Sequence, residues 1–321
     1  MFFSKGQPDA TDTLVIEGNP MREPEVSIIT AAYNAEKYIA ETIESVQKQT
    51  FSNWEYIIAD NGSTDRTAEI IEQFLSDDRI RLVIEKEKGR GFARNAAFAH
   101  TRAEYIANID ADDLWSSDKL EKQVALLNCN PQVGLVYTGL RIIDEMGSTV
   151  GVPNTVGITQ KPLQYLLTVK NPIAHSSVMI RREAFCGGKY QDEEIEEADE
   201  LIVYLKTFLI FNEAGFIREP LTMYRVHRGS GLDRVSIRTF CREYQKGLDA
   251  FFQLSSLPLE VRGMKRCAYG TMYYLSASIG ISFKKEPSIC INYLIKSMVL
   301  RPSKIHLCLF QFVRLSLSAI T

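Results

Sequence analysis

Between residues 26 and 109, short runs rich in β-branched residues alternate with segments of helical apolar spacing, and each run ends on polar side chains. Val26 to Thr30 is the first such run. It is followed by a helical pattern over residues 36–49, in which Ile39, Ile43 and Val46 recur on one face. The pattern predicts further strands over residues 54–59, 80–84 and 105–109, with helices over residues 65–75 and 91–101 between them. Ser63, Thr64 and Asp65 supply capping side chains for the second helix. Strand and helix alternating in this way predict an α/β domain with a largely parallel sheet. Such sheets bind ligands beyond the carboxyl ends of their strands. Tyr33 and Asn34, then Asp60 and Asn61, then Asp110, Asp112 and Asp113 all follow strands and should converge there.

Farther along, a helix is expected over residues 118–128, a strand over 135–138, a strand over 178–181, a helix over 199–211 and a short strand over 223–226. From about Ser236 the pattern is helical, broken at Pro258, Pro287 and Pro302. Residues 1–24 have no long apolar run and read as a loose leader rather than a signal peptide. The apolar stretch over residues 305–320 carries His306, Gln311 and Arg314 and is shorter than the ~20 residues of a spanning helix. It reads as a packed helix or one lying at a membrane interface. The six cysteines form no Cys-x-x-Cys pair, which argues against zinc and for reduced thiols in a cytoplasmic protein. A formal net charge of -3 gives no support to a nucleic-acid partner.

Asp110, Asp112 and Asp113 crowd three carboxylates at the mouth of a buried strand. Such crowding raises carboxyl pKa values unless a cation relieves it. Mg²⁺ or Mn²⁺ suits the position, because each takes oxygen ligands from one or two carboxylates and from substrate phosphates. A solvated acidic turn is the alternative.

At these residues the chain resembles the glycosyltransferase family 2 enzymes. Val26 to Asn34 is similar to the family's opening strand and turn, and residues 60–65 to its "DDGSTD" loop with Asn61 for the second Asp. Arg94-Asn95-Ala96 resembles "ARNAG", and residues 110–115 resemble "DADDLW". Asn171 to Ser177 is similar to the acceptor-side "NPIPHSS" segment, and residues 219–227 to the "PEPL…YRVH" end of the catalytic domain.

The resemblance implies a GT-A fold, a Rossmann-like mixed sheet flanked by helices, over residues 25–230; the helical pattern beyond it gives a C-terminal region over 231–321 that the family's motifs do not explain. It implies transfer of a sugar, with inversion, from a nucleotide-sugar donor to a glycan or lipid-linked glycan acceptor. Thr30, Tyr33, Asn34, Asp60, Arg94, Asp110 and Arg225 would bind the donor, Asp112 and His227 would hold the metal, and His175 would lie on the acceptor side. Counting from Tyr190 places the catalytic base at Asp199, with Glu197 the competitor if the loop shifts by one residue. The family's Glu-Asp pair at the base reads Ala198-Asp199 here, and this altered motif leaves open a sugar-nucleotide-binding protein without turnover. A nucleotidyltransferase shares the strand-end carboxylates, but Val26 to Asn34 lacks the glycines its phosphate loop would need. Basic residues of the tail, including Lys284, Lys285, Lys296, Arg301 and Lys304, favour peripheral contact with the inner face of the cell membrane.

Overall fold

A computed structural model describes residues 14–16, 23–185, 188–193, 195, 199–227, 236–282 and 286–318. At its centre lies the parallel block that the alternating pattern requires. β2 (Val26–Ala32) pairs in parallel with β3 (Trp54–Asp60) and β5 (Tyr105–Asn108), and β3 pairs in parallel with β4 (Ile80–Ile84). Their apolar runs are buried on both faces, as strands covered on two sides must be. α1 (Ile39–Gln47), α2 (Thr67–Glu72) and α3 (Arg90–Ala99) make the crossovers between them.

The sheet becomes mixed beyond β5. β9 (Met179–Arg181) runs antiparallel to both β5 and β7 (Val133–Ile143). β10 (Glu213–Arg225) lies parallel to β7 and antiparallel to β6 (Leu114–Trp115). β1 (Leu14–Ile16) borders β4 within the segment expected to be a leader, and β8 (Thr149–Gly151) pairs with β7.

The expected strand over residues 223–226 is the end of β10, thirteen residues long. The part before residue 223 escapes a propensity reading because it carries Pro220 and charged residues. A register shift between Ile217 and Thr222 takes Pro220 out of the hydrogen-bond ladder. Opposite that shift, a Cβ on Gly139 would stand 2.4 Å from the carbonyl oxygen of Arg218, so only glycine fits the approach.

Helices cover both faces. On one face, α1 and α4 (Lys119–Cys129) close a core with Ile28, Ile43, Trp54, Tyr56, Leu120 and Leu127. On the other, α3, α5 (Pro162–Thr168) and α6 (Asp199–Ile210) pack over Ile29, Ile57, Ile106 and Tyr137. That second core continues into α7 (Ile237–Gln253) and α9 (Lys265–Ser282), joined by the short α8 (Leu259–Gly263). α10 (Pro287–Leu300) and α11 (Ile305–Ser318) pack outside them. The buried Arg301 donates to the carbonyl of Thr168 at 2.8 Å and ties this helical region to α5. The five described cysteines carry no disulfide.

Candidate active site

Three strands of the parallel block end at one edge, and the loops that follow them are stitched together. Asn34 takes the left-handed conformation at φ 49°, which asparagine tolerates better than most residues. Its amide oxygen accepts from Thr64 N at 2.8 Å, while its own N–H donates to Ser63 Oγ at 2.9 Å. Asp60, buried at the tip of β3, accepts from the backbone N–H of Ser63 at 3.1 Å and from the Ser63 hydroxyl. Asn61 gives its amide N–H to the Glu87 carbonyl at 2.6 Å and accepts from Gly89 N at 2.8 Å. A carboxylate could not have donated, so the departure from the "DDGSTD" pattern joins the β3 and β4 loops. Tyr33 stands beside this edge, half exposed.

The acidic loop after β5 is held from below and from the side. Thr30 is buried, and its hydroxyl donates to the carbonyl of Ile109 at 2.7 Å and lies 2.8 Å from Tyr56 Oη. The backbone N–H of Asp110 donates to Ser176 Oγ at 3.0 Å, which seats the loop on the turn His175–Ser177. His175 itself is buried, its ring edge-on to Tyr190 at 6.5 Å. Arg225 has a fully buried side chain. It reaches the Asp112 carbonyl at 2.8 Å, the Glu145 carbonyl at 3.2 Å and Glu41 at 2.7 Å, and its N–H donates to Asp113 Oδ1 at 2.8 Å. With Tyr38 beneath its guanidinium at 4.5 Å, Arg225 braces the acidic loop against α1.

His227 follows directly on that brace, and its Nε2 lies 3.0 Å from Asp112 Oδ2. Burial and the neighbouring Asp110 push the Asp112 carboxyl up, partly offset by His227. Asp113, more deeply buried, is raised well above the ordinary range, first by desolvation and then by Asp112. An acidic loop with elevated pKa values gains from a cation close by.

Among the described residues, no group of three or more histidine, cysteine or acidic side chains converges as a closed metal site. The chain offers one carboxylate and one imidazole at hydrogen-bond distance, one of them desolvated. That donor set fits a Mg²⁺ or Mn²⁺ whose remaining ligands are phosphate oxygens and water.

Arg94, almost fully buried on α3, lies 3.5 Å from Asp110, 3.8 Å from Glu200 and 3.4 Å from Gln191 Oε1. It thereby brings the start of α6 to the acidic loop. Asp199 is the first residue of α6, and Glu197 lies outside the described residues. The neighbouring Asn95 holds the segment that leads to α6. Its amide oxygen accepts from the N–H groups of Tyr190 and Gln191, each at 3.0 Å. Its amide nitrogen donates to the Gln191 carbonyl at 3.0 Å and to Glu193 Oε1 at 2.9 Å. This role was not read from the sequence. Asn95 beside Arg94 was its one signal.

The sequence profile described as "Glycosyl transferase family 2" matches residues 27–187, half of the chain. This chain belongs to glycosyltransferase family 2. TuaG of Bacillus subtilis, a glycosyltransferase named for teichuronic acid biosynthesis, is 34% identical over 211 residues, 65% of this chain and 81% of that protein. EpsE of the same organism is 36% identical over 165 residues, so the family 2 chain spans only 58% of that relative's length.

Among solved structures, residues 1–349 of TarS from S. aureus in complex with UDP-GlcNAc superpose with a TM-score of 0.67. Identity there is 20%, over 88% of this chain and 82% of that one. The mannosyltransferase PcManGT of Pyrobaculum calidifontis, in complex with GDP-Man and Mn²⁺, gives a TM-score of 0.56 at 17% identity, over 95% and 89% of the two chains. These likenesses establish the GT-A fold, a curled mixed sheet between helices, for this family 2 enzyme. Among the described residues, no helix is long and apolar enough to cross a membrane.

Proposed function

We propose that this glycosyltransferase moves a sugar from a nucleotide-diphosphate donor to an acceptor hydroxyl with inversion, in the synthesis of a cell-surface polysaccharide or glycolipid. The observation that carries the reading is the 3.0 Å approach of His227 to Asp112, at the edge where Asp60 ends β3 and Asp110 follows β5. Asp60 accepts a hydrogen bond from the donor's base, while Tyr33 and Asn34 flank the base and ribose. Asp110 and Arg94 bind on the ribose side. Thr30 and Arg225 serve the donor through the loops they hold, and His175 lies toward the acceptor.

Asp112 and His227 would hold Mg²⁺ or Mn²⁺. Charge neutralisation of the leaving diphosphate is the chemistry that such a bound ion supplies. Asp199 takes the proton of the acceptor hydroxyl. The acceptor oxygen bonds to the anomeric carbon from the face opposite the diphosphate, whose bond to that carbon breaks with both electrons leaving on the phosphate oxygen. Attack from the opposite face inverts the centre.

TarS was solved with UDP-GlcNAc and PcManGT with GDP-Man and Mn²⁺. WfgD of Escherichia coli, 41% identical over 127 residues, is named for UDP-Glc and a diphosphoundecaprenol-linked acceptor. These three names support the UDP- and GDP-sugars within the proposed UDP-, GDP- or dTDP-sugar donor class, and WfgD supports a lipid-linked glycan acceptor met at the inner face of the cell membrane. The test is thermal stabilisation of the purified protein across a panel of nucleotide sugars with and without Mn²⁺, followed by transfer assays with the stabilising donor. Stabilisation by none of them would remove the reading, and stabilisation without transfer or hydrolysis would favour a binding protein.

A further inference from the structure

The C-terminal helices present an apolar face that the catalytic fold does not use. On α10, Ile291, Ile295 and Val299 recur every four residues, the spacing that stacks side chains on one helix face. α11 opens with Ile305 and continues with Leu309 and Phe310. These six side chains are 39% to 64% exposed, although the buried sides of the same helices hold Cys290, Leu294 and Cys308 at 1% or less. Only the buried Arg301 and the short turn Pro302–Lys304 separate the two packed helices, so the stripes end and begin six residues apart at Val299 and Ile305. Scattered surface apolar residues are ordinary, but a joined stripe on two packed helices marks a surface that binds something.

Charge selects the occupant. Residues 236–321 hold twelve lysines and arginines against four acidic residues, whereas the whole chain has a net charge of -3. The positive charge is therefore concentrated in the part that carries the stripe. Lys304 is exposed beside it, and so is Lys296, whose ammonium lies 5.0 Å from the Tyr273 ring. An apolar helix face with cations along its border suits the interface of an anionic bilayer, where aliphatic and aromatic side chains enter among the acyl chains and cations stay at the headgroups. α10 and α11 have fourteen residues each, about 21 Å of helix, so they could lie along such a surface but not span it.

We infer that the α10–α11 face docks on an anionic phospholipid surface, Ile295, Val299, Leu309 and Phe310 entering the interface and Lys296 and Lys304 facing the headgroups. This gives the membrane contact a location and a lipid class, and it holds whichever sugar is moved.

The experiment is co-sedimentation of the full chain with phosphatidylcholine vesicles, with and without phosphatidylglycerol, at low and high salt. Binding is expected only with phosphatidylglycerol, and high salt should weaken it by about tenfold or more. The combined variant I295E/V299E/F310E should lower the partition coefficient by about tenfold or more while keeping the parent's thermal midpoint and its stabilisation by donor. Wild-type protein that ignores anionic vesicles would overturn the inference. So would a variant that binds them as the parent does, or a parent dimer by light scattering that the variant converts to monomer, which would assign the face to a second copy. Donor stabilisation is read separately, so failure here is distinct from failure of the catalytic reading.

Discussion

His227 Nε2 stands 3.0 Å from Asp112 Oδ2, which joins two side chains 115 residues apart in the chain. The contact exists because Arg225, two residues before His227, donates from its guanidinium to the Asp112 carbonyl and from its backbone N–H to the Asp113 carboxylate. If these two side chains hold the metal, Asp112→Ala and His227→Ala should each abolish the part of donor stabilisation that depends on Mn²⁺. Transfer should fall by about 10²-fold or more. Thermal shifts with donor, with and without Mn²⁺, and initial rates check both. Retention of the metal-dependent shift in both variants would exclude the pair.

Asp199→Asn should leave donor stabilisation at the parental level while turnover drops by roughly 10² to 10⁴, the usual contribution of a general base. Glu197→Gln should leave the rate within a few-fold of the parent. The reverse pattern would move the base to Glu197.

Asn95→Leu keeps the side chain's bulk but removes four hydrogen bonds to residues 190–193. The freed backbone groups should cost about 1–3 kcal/mol in urea denaturation. A loosened approach to α6 should lower turnover by about tenfold or more with little change in the donor's apparent affinity, since small displacements of a reacting group are costly. Rate and affinity falling together would mean that Asn95 supports the donor loops as well.

Lys119 is fully buried at the start of α4, its ammonium 2.7 Å from Gln123 Oε1 and 3.8 Å from the centre of the Trp115 ring. Burial holds its pKa well below the ordinary lysine value. Between that lowered value and about 10.4, the unfolded chain keeps a proton that the folded chain has released. The contribution of Lys119 to stability therefore rises with pH across that window and is flat beneath it. Lys119→Met should be more stable than the parent at neutral pH, and its advantage should shrink as pH approaches about 10.4. Paired denaturation curves at several pH values test this. A constant difference would mean that the buried amine is not titrating.

What could be read in advance was whatever depends on neighbours in the chain. Strand and helix periods are local, so the parallel block, its crossovers and the polar residues that follow three of its strands were legible, with boundaries a few residues off. The motif spacing likewise placed Asp60, Asp110 and Asp112 at one sheet edge. The part of β10 before residue 223 was not legible, because its Pro220 is tolerated only where the ladder shifts beside Gly139, a condition set by another strand.

Side-chain commitments were also beyond the sequence. Nothing local says that Thr30 is spent on the Ile109 carbonyl, that Arg225 lies beneath the acidic loop, or that Asn95 clamps residues nearly a hundred positions away. Hydrophobic period tells which face of an element turns inward. Which polar groups then meet is decided by burial and hydrogen-bond satisfaction among segments distant in the chain, and only the packed tertiary structure sets that.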